Sequence, residues 1–328
     1  MRIVALVLAA LVVALGSDPW TVRAQDTFPS RPVTIWVGFP AGGGTDILVR
    51  AAAEAAEKTL GQKLVVVNKP GGGATVATTE LTRVKPDGYT IVAATDTPIT
   101  RAPHLRSLEY DPFRDLAYVV RLGRYKLAWS VRADSPFTTW RDLVEWARKN
   151  PDQLGFGHPG AGTTPHLVMA KIGLQEGFRF KSVPFGGDAP LMTALLGGHV
   201  ALVGTSSVAV TGGAQAKTIR VLLVNESEGL DYAPEAGSFA RAGYDIESST
   251  SVLLYAPRGV PAAALERLSA AFREAMKTQT FLSVARQHEL LLGEPLAGVA
   301  LMEEMRKVSA RYETLIKEAG IHKSQPTR

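Results

Sequence analysis

The sequence predicts an α/β protein built around mostly parallel sheets, on three observations. Short apolar runs alternate with helix-patterned stretches through most of the chain, the pattern of strand–helix–strand units. Three of those runs end in glycine-rich loops, where a strand would hand over to a helix. The 328 residues have the length of about two domains. They contain no low-complexity linker and no repeat of solenoid length, so two units would share ordered strand crossings rather than a tether.

Taken in order, the elements begin with a segment that reads as an export signal. Arg2 precedes an apolar run of 14 residues, Ile3 to Gly16. That run is shorter than the roughly 20 residues a spanning helix needs and suits the apolar region of a secretory signal. Cleavage fits after Ala24, following Val22-Arg23, or after Gly16, following Ala14-Leu15. The first is preferred because the folded pattern starts near Arg31, which makes residues 1–24 the signal peptide. An uncleaved membrane anchor is the alternative.

Strands are expected at Val33–Gly38, Leu64–Asn68 and Thr90–Ala94, with helices over Asp46–Leu60, closed by Gly61, and Thr75–Val84. A second set starts near residue 126. Leu127–Arg132 reads as a strand, and Thr139-Trp140-Arg141-Asp142 matches a capping box. Trp140, Leu143, Val144 and Ala147 share the face of the helix that follows. Leu154–Gly157 enters the third glycine loop, after which Thr164 is expected to cap a helix, with Pro165 at its first position and Gly177 at its end. Pro190–Leu196 reads as a helix, and Val200–Gly204 and Ile219–Val224 as buried strands. The last part is helical: Leu265, Leu268, Phe272, Ala275 and Met276 share one face, and Met302, Met305, Val308, Tyr312, Leu315 and Ile316 continue such a stripe, a core pattern.

Composition narrows the chemistry. Hydrophobic residues make up 46% and charged residues 20%, values of a soluble globular protein. The chain has no cysteine, which excludes disulfides, thiolate metal sites, a cysteine nucleophile and a cysteine-linked lipid. The formal charge of +5 comes from scattered Lys and Arg, which gives nucleic-acid binding little support. No register completes G-x-G-x-x-G or the phosphate-loop pattern, and neither G-x-S-x-G nor H-E-x-x-H occurs. The histidines, 104, 158, 166, 199, 288 and 322, have no metal-ligand spacing. No metal or cofactor is expected.

The glycine loops carry the chemical signal. They are Phe39-Pro40-Ala41-Gly42-Gly43-Gly44-Thr45-Asp46, Asn68-Lys69-Pro70-Gly71-Gly72-Gly73 and His158-Pro159-Gly160-Ala161-Gly162-Thr163-Thr164. Glycine allows positive φ and close approach of backbone to a ligand. The next helix then aims its free N–H groups and positive end at the loop, where an anion can sit without a lysine or arginine. The glycines can equally serve only tight turns. Asp46 can cap its helix or meet a ligand. His158 and His166 can be surface or hinge groups, ligand contacts or a base. Ser206 and Ser207 end a strand, where they can line a cleft.

Several segments together carry a family resemblance. They are Phe28-Pro29-Ser30-Arg31-Pro32-Val33, the first glycine loop, Val67-Asn68-Lys69-Pro70-Gly71, Pro86-Asp87-Gly88-Tyr89-Thr90, Tyr110-Asp111-Pro112, Gly160-Ala161-Gly162-Thr163 with His166, Val183-Pro184-Phe185, Leu196-Gly197-Gly198-His199-Val200 and Ala256-Pro257-Arg258-Gly259-Val260-Pro261. In that order and spacing, over roughly 28–320, the chain resembles the Bug/TctC substrate-binding proteins of tripartite tricarboxylate transporters. The resemblance implies a periplasmic-binding-protein type II fold: two lobes joined by two crossing strands. Domain 1 would be 28–123 plus 252–323, and domain 2 would be 124–251.

The resemblance also implies a periplasmic, monomeric, non-enzymatic protein that holds a small mono- or dicarboxylate between the lobes for the membrane subunits of a transporter. The ligand residues it implies are Phe39, Ala41, Gly42, Gly43, Thr45 and Asp46 from the first loop, and His158, Gly160, Gly162, Thr163, Thr164 and His166 from the third. Thr95, Thr97, Phe185, Asp188, Thr205 and Ser206 are secondary candidates. His158-Pro159, Phe185-Gly186-Gly187 and Ser251-Val252-Leu253-Leu254 depart from the family pattern near the cleft, which bears on ligand identity. Two other readings stand beside transport: a ligand-sensing accessory for a membrane receptor kinase, and a secreted α/β enzyme acting on small acids.

Overall fold

The computed structural model describes residues 28–246, 248 and 250–321. The signal-like segment and His322 lie outside the described residues. The first lobe runs through β1 (Val33–Val37), α1 (Gly44–Leu60), β2 (Leu64–Asn68), α2 (Thr75–Leu81), β3 (Thr90–Thr95), the short helices α3 (Thr97–Thr100) and α4 (Ala102–Leu105), and β4 (Leu116–Tyr125). The second takes β5 (Leu127–Arg132), α5 (Trp140–Lys149), β6 (Leu154–His158), α6 (Thr164–Glu176), β7 (Phe180–Pro184), α7 (Asp188–Leu196), β8 (Leu202–Ser206), α8 (Ser207–Gln215), β9 (Ile219–Val224), β10 (Gly237–Ser238) and α9 (Phe239–Ala242). The chain then returns as β11 (Thr250–Pro257), α10 (Ala262–Ala275), α11 (Gln279–Gln287) and α12 (Gly298–Glu318).

Two sheets result, ordered β2-β1-β3-β11-β4 and β10-β9-β5-β8-β6-β7. In the first, β1 pairs in parallel with β2 and β3, whereas β11 runs antiparallel to β3 and β4. In the second, β5 runs antiparallel to β8 and β9, and the other neighbours are parallel. Each sheet therefore holds one reversed strand, and each reversed strand follows a crossing between the sheets. The first crossing is a single residue, Lys126, between β4 and β5. The second brings Thr250 back beside Tyr125. This is the two-lobed arrangement with two crossing strands that the resemblance implied.

Local sequence explains most elements. In β1, Val33, Ile35 and Val37 are fully buried and alternate with half-buried Thr34 and Trp36, the period of two of a strand. In α1, Leu48, Val49, Ala52, Ala53, Ala56 and Leu60 are buried, and full burial of a leucine contributes about 1.5–3 kcal/mol. Gly61 stops α1 in the left-handed conformation, its N–H bonding the Glu57 carbonyl at 2.8 Å. The capping box of α5 forms as expected between Thr139 and Asp142. The stripe of α12 buries Leu301, Met305, Val308, Tyr312, Leu315 and Ile316 as core.

Some boundaries differ from expectation. The strand expected at Val200–Gly204 is β8, two residues later, because its partner β5 reaches Leu127 and draws the pairing out to Ser206. The cap of α6 is Thr163 rather than Thr164, and Pro165 is its second residue. Helix α1 begins at Gly44, and α7 at Asp188, which leaves Pro190 in the first turn, where its missing N–H costs no hydrogen bond. Helix α2 stops at Leu81. Among the described residues no helix is long and apolar enough to cross a membrane.

Candidate functional site

The β1–α1 loop of the first lobe and the β6–α6 loop of the second face each other across a cleft. Phe39, Thr45, Thr95 and Thr97 line it from the first lobe. Tyr125, Leu127 and Thr250 form its floor where the chain crosses. Pro159, Thr163, Thr164, Pro165, Asp188 and Ser206 line it from the second lobe. About 30 Å³ of free space remains, so the lobes are closed on each other. A groove of about 660 Å³ on the second lobe, beside Arg141, Arg148, Glu176 and Arg241, is far larger. There Arg148 pairs with Glu176, and no loop of the first lobe contributes. The convergence of loops, not volume, makes the cleft the candidate site.

Helices α1, after Gly43, and α6, after Thr163, begin at the cleft without a side-chain cap, as does α7 after Gly187. Their first-turn N–H groups and positive ends point at the space between the lobes. The walls are rich in hydroxyls. Thr97 Oγ1 accepts from Arg101 Nη2 at 3.1 Å and from Thr95 Oγ1 at 3.1 Å. Thr250 Oγ1 donates to Thr164 Oγ1 at 2.7 Å, and Thr164 meets the Tyr312 hydroxyl at 3.1 Å. Behind Thr97, fully buried Arg101 is ion-paired with fully buried Asp96.

Asp46 braces the first loop from beneath. Its carboxylate accepts from Gly42 N–H at 3.0 Å, Arg50 Nε at 3.0 Å and Asn68 Nδ2 at 2.9 Å. Burial works to raise its pKa, but Arg50, the Gly42 N–H and Asn68 outweigh it and hold the group below the ordinary carboxylate value. Asp188, at the start of α7, reaches across the cleft. It accepts from the Thr205 hydroxyl, from Ser206 Oγ at 3.1 Å and, in the other lobe, from Gly44 N–H at 3.2 Å. Burial pushes its carboxyl above the ordinary value, against the pull of Thr205, Gly44 and Ser206.

The third loop is braced by a stacked histidine pair, His158 and His166, with ring centroids 4.5 Å apart. His158 is fully buried. Its Nδ1 lies 2.9 Å from the Gly160 carbonyl and its Nε2 2.8 Å from Ser182 Oγ. Gly162 N–H donates to His166 Nδ1 at 3.2 Å. Burial, then the neighbouring His166, lowers His158 to a pKa of about 3, and burial lowers His166 as well.

Of the residues expected at the ligand, Phe39, Thr45, Thr95, Thr97, Thr163, Thr164, Asp188 and Ser206 line the cleft. Gly43 and Thr205 stand directly behind, against Asp188. Gly160 and Gly162 carry the third loop onto the first lobe, approaching Gly73 and Leu105. Asp46, His158 and His166 are loop braces, not cleft walls. Ala41 and Gly42 turn outward and are exposed. Phe185 packs into the second lobe's core beside Leu191 and Val200. Tyr125, Leu127 and Thr250 escaped the sequence reading because residues at strand ends beside a crossing form no motif. Their closeness to the expected crossings near 124 and 251 was the available signal.

With this geometry in view, residues 48–321 match the family described as the tripartite tricarboxylate transporter family receptor. The chain belongs to that family. This receptor is 35% identical over 270 residues to the UPF0065 protein of the gbd 5′ region of Cupriavidus necator, covering 82% of each chain. The periplasmic binding protein BugD superposes with a TM-score of 0.86 at 27% identity, covering 90% of the receptor and 100% of BugD. Rpa4515 of R. palustris, solved with adipate, superposes with a TM-score of 0.82 at 28% identity, covering 90% of the receptor and 100% of Rpa4515.

Proposed function

We propose that this protein is a periplasmic receptor that closes on a small carboxylate in the interlobe cleft and presents it to the membrane subunits of a tripartite transporter. The observation that carries the reading is the start of α6, without a side-chain cap, facing the β1–α1 loop across a cleft walled by threonine and serine hydroxyls. Such a site stabilises a carboxylate with oriented N–H groups and hydroxyls rather than a side-chain cation. The adipate of Rpa4515 is in keeping with that chemistry. The protein binds and releases its ligand unchanged, acts as a monomer and is exported by its N-terminal segment. Its working units are 28–123 with 252–323, and 124–251, hinged at the crossings. Ligand binds the open cleft, and closure, through small changes at the crossings, gives the membrane partner a distinct shape to read.

A thermal-shift series of mono- and dicarboxylates tests this. A ligand present at 100 times its Kd is expected to stabilise the protein by about 2.7 kcal/mol. A series in which no carboxylate raises the melting temperature would sink the proposal.

A further inference from the structure

Among the described residues lining the cleft, Asp188 is the one charged side chain, and no lysine, arginine or histidine lies with it. Nearby cations are engaged elsewhere: Arg50 with Asp46, and Arg101 with Asp96 behind Thr97. Asp188 is held firmly. One oxygen takes the Thr205 hydroxyl, and the other takes Ser206 Oγ at 3.1 Å and Gly44 N–H at 3.2 Å. It thereby sits where the start of α1 would otherwise favour a ligand's carboxylate. A carboxylate offers about four acceptor positions, and with three donors in place one remains for the ligand.

Resting on the reading that the cleft takes a small carboxylate, we propose that Asp188 sets the class of that carboxylate. The ligand carries a protonated nitrogen at its other end, and the site disfavours dicarboxylates. The ligand's own carboxylate lies toward the start of α6, because Asp188 already occupies the start of α1. Its ammonium meets the remaining acceptor position of Asp188. A second carboxylate at that end would face a fixed like charge in a closed cleft, with no cation to offset it.

Titration calorimetry of the full chain with matched pairs tests this. Each pair replaces one terminal carboxylate by an ammonium on the same carbon spacer: succinate with β-alanine, glutarate with 4-aminobutyrate, adipate with 5-aminopentanoate. In at least one pair the amino acid is expected to bind about tenfold or more tighter than the diacid. Asp188→Asn is expected to shrink or reverse that ratio, and Asp188→Ser serves the same purpose should the first variant fold poorly. Diacids that equal or beat their partners in every pair that binds the unaltered protein, or a ratio unchanged in the variants, overturn the role of Asp188 while leaving carboxylate binding intact. Failure of every member to bind both the unaltered protein and the variants overturns the carboxylate reading as well.

Discussion

His158 and His166 make the third loop sensitive to acid. His158 has Gly160 O at Nδ1 and Ser182 at Nε2, His166 accepts the Gly162 N–H, and burial favours the neutral form of both rings. Their folded pKa values lie below the ordinary 6.5, that of His158 at about 3. As pH falls below about 6.5, the unfolded chain takes up protons that the folded loop refuses. Stability that is fully present above that pH is therefore lost on the way down, by about 1.4 kcal/mol per pH unit for each fully shifted group. Urea midpoints are expected to fall between pH 7 and pH 5, and His158→Asn to flatten that fall. An unchanged slope in the variant would show that the His158 ring titrates freely. Asp96 and Asp188, raised by burial, act in the opposite sense as pH rises above 3.8, so the histidine share is read as the difference between the two proteins.

Legibility at this scale followed chemistry. Thr45, Thr163 and Thr164 could be read because they sit in glycine loops that announce a helix start. Asp46 could be singled out, but its choice between ligand and brace depended on Asn68, a partner 22 residues away that local spacing does not reveal.

At the scale of elements, closure depends on backbone lying against backbone. Gly44 opens α1, and a Cβ there would come within 2.8 Å of Ser206 Oγ and 3.1 Å of Asp188 Oδ2, both in the other lobe. Its φ lies outside the left-handed region, so alanine fits the helix start without backbone strain. Gly44→Ala is therefore expected to keep or raise the melting temperature of the free protein while weakening ligand affinity, because the methyl wedges the lobes apart. Calorimetry with a ligand from the screen, read beside the melting temperature, checks both halves. Gly162 differs: it has φ +80°, so a side chain there is strained even before it meets Leu105.

Mostly apolar segments such as Leu127–Arg132 and Ile219–Val224 could be read to the residue. β7 could not. It is an edge strand reading Phe-Lys-Ser-Val-Pro, mostly open to solvent, with no hydrophobic alternation to mark it.

Across the whole molecule, the first crossing is held by an ion pair. Lys126, the residue between the sheets, donates to Glu289 Oε2 at 2.9 Å and to the Gly229 carbonyl at 2.8 Å, and both side chains of the pair are only 11% exposed. Lys126→Ala removes the donor to Glu289 Oε2 and to that carbonyl, leaving Glu289 only the Asp231 N–H on its other oxygen, and is expected to cost about 1–3 kcal/mol. Double substitution with Glu289→Ala is expected to cost less than the sum of the two single substitutions. Equilibrium unfolding of the three variants checks this, and a loss no smaller in the double variant than the sum of the singles would mean that the pair is uncoupled. The two-lobed topology itself was only half legible. The missing linker pointed to strand crossings, but nothing local tells a strand such as Thr250–Pro257 that its neighbours are β3 and β4.

That placement of β11 has a consequence for the order in which the molecule can be made. β5 to β9, which hold most of the second sheet, lie in one continuous stretch from Leu127 to Val224. The first sheet is different, because its gap between β3 and β4 is filled only by β11, long after both have been synthesised. A chain delivered from its N-terminus can assemble the inserted lobe while β3 and β4 still present unpaired edges. The lobe that begins the sequence is thus the one completed last, and a chain cut short before Thr250 would retain a foldable second lobe and half of a first.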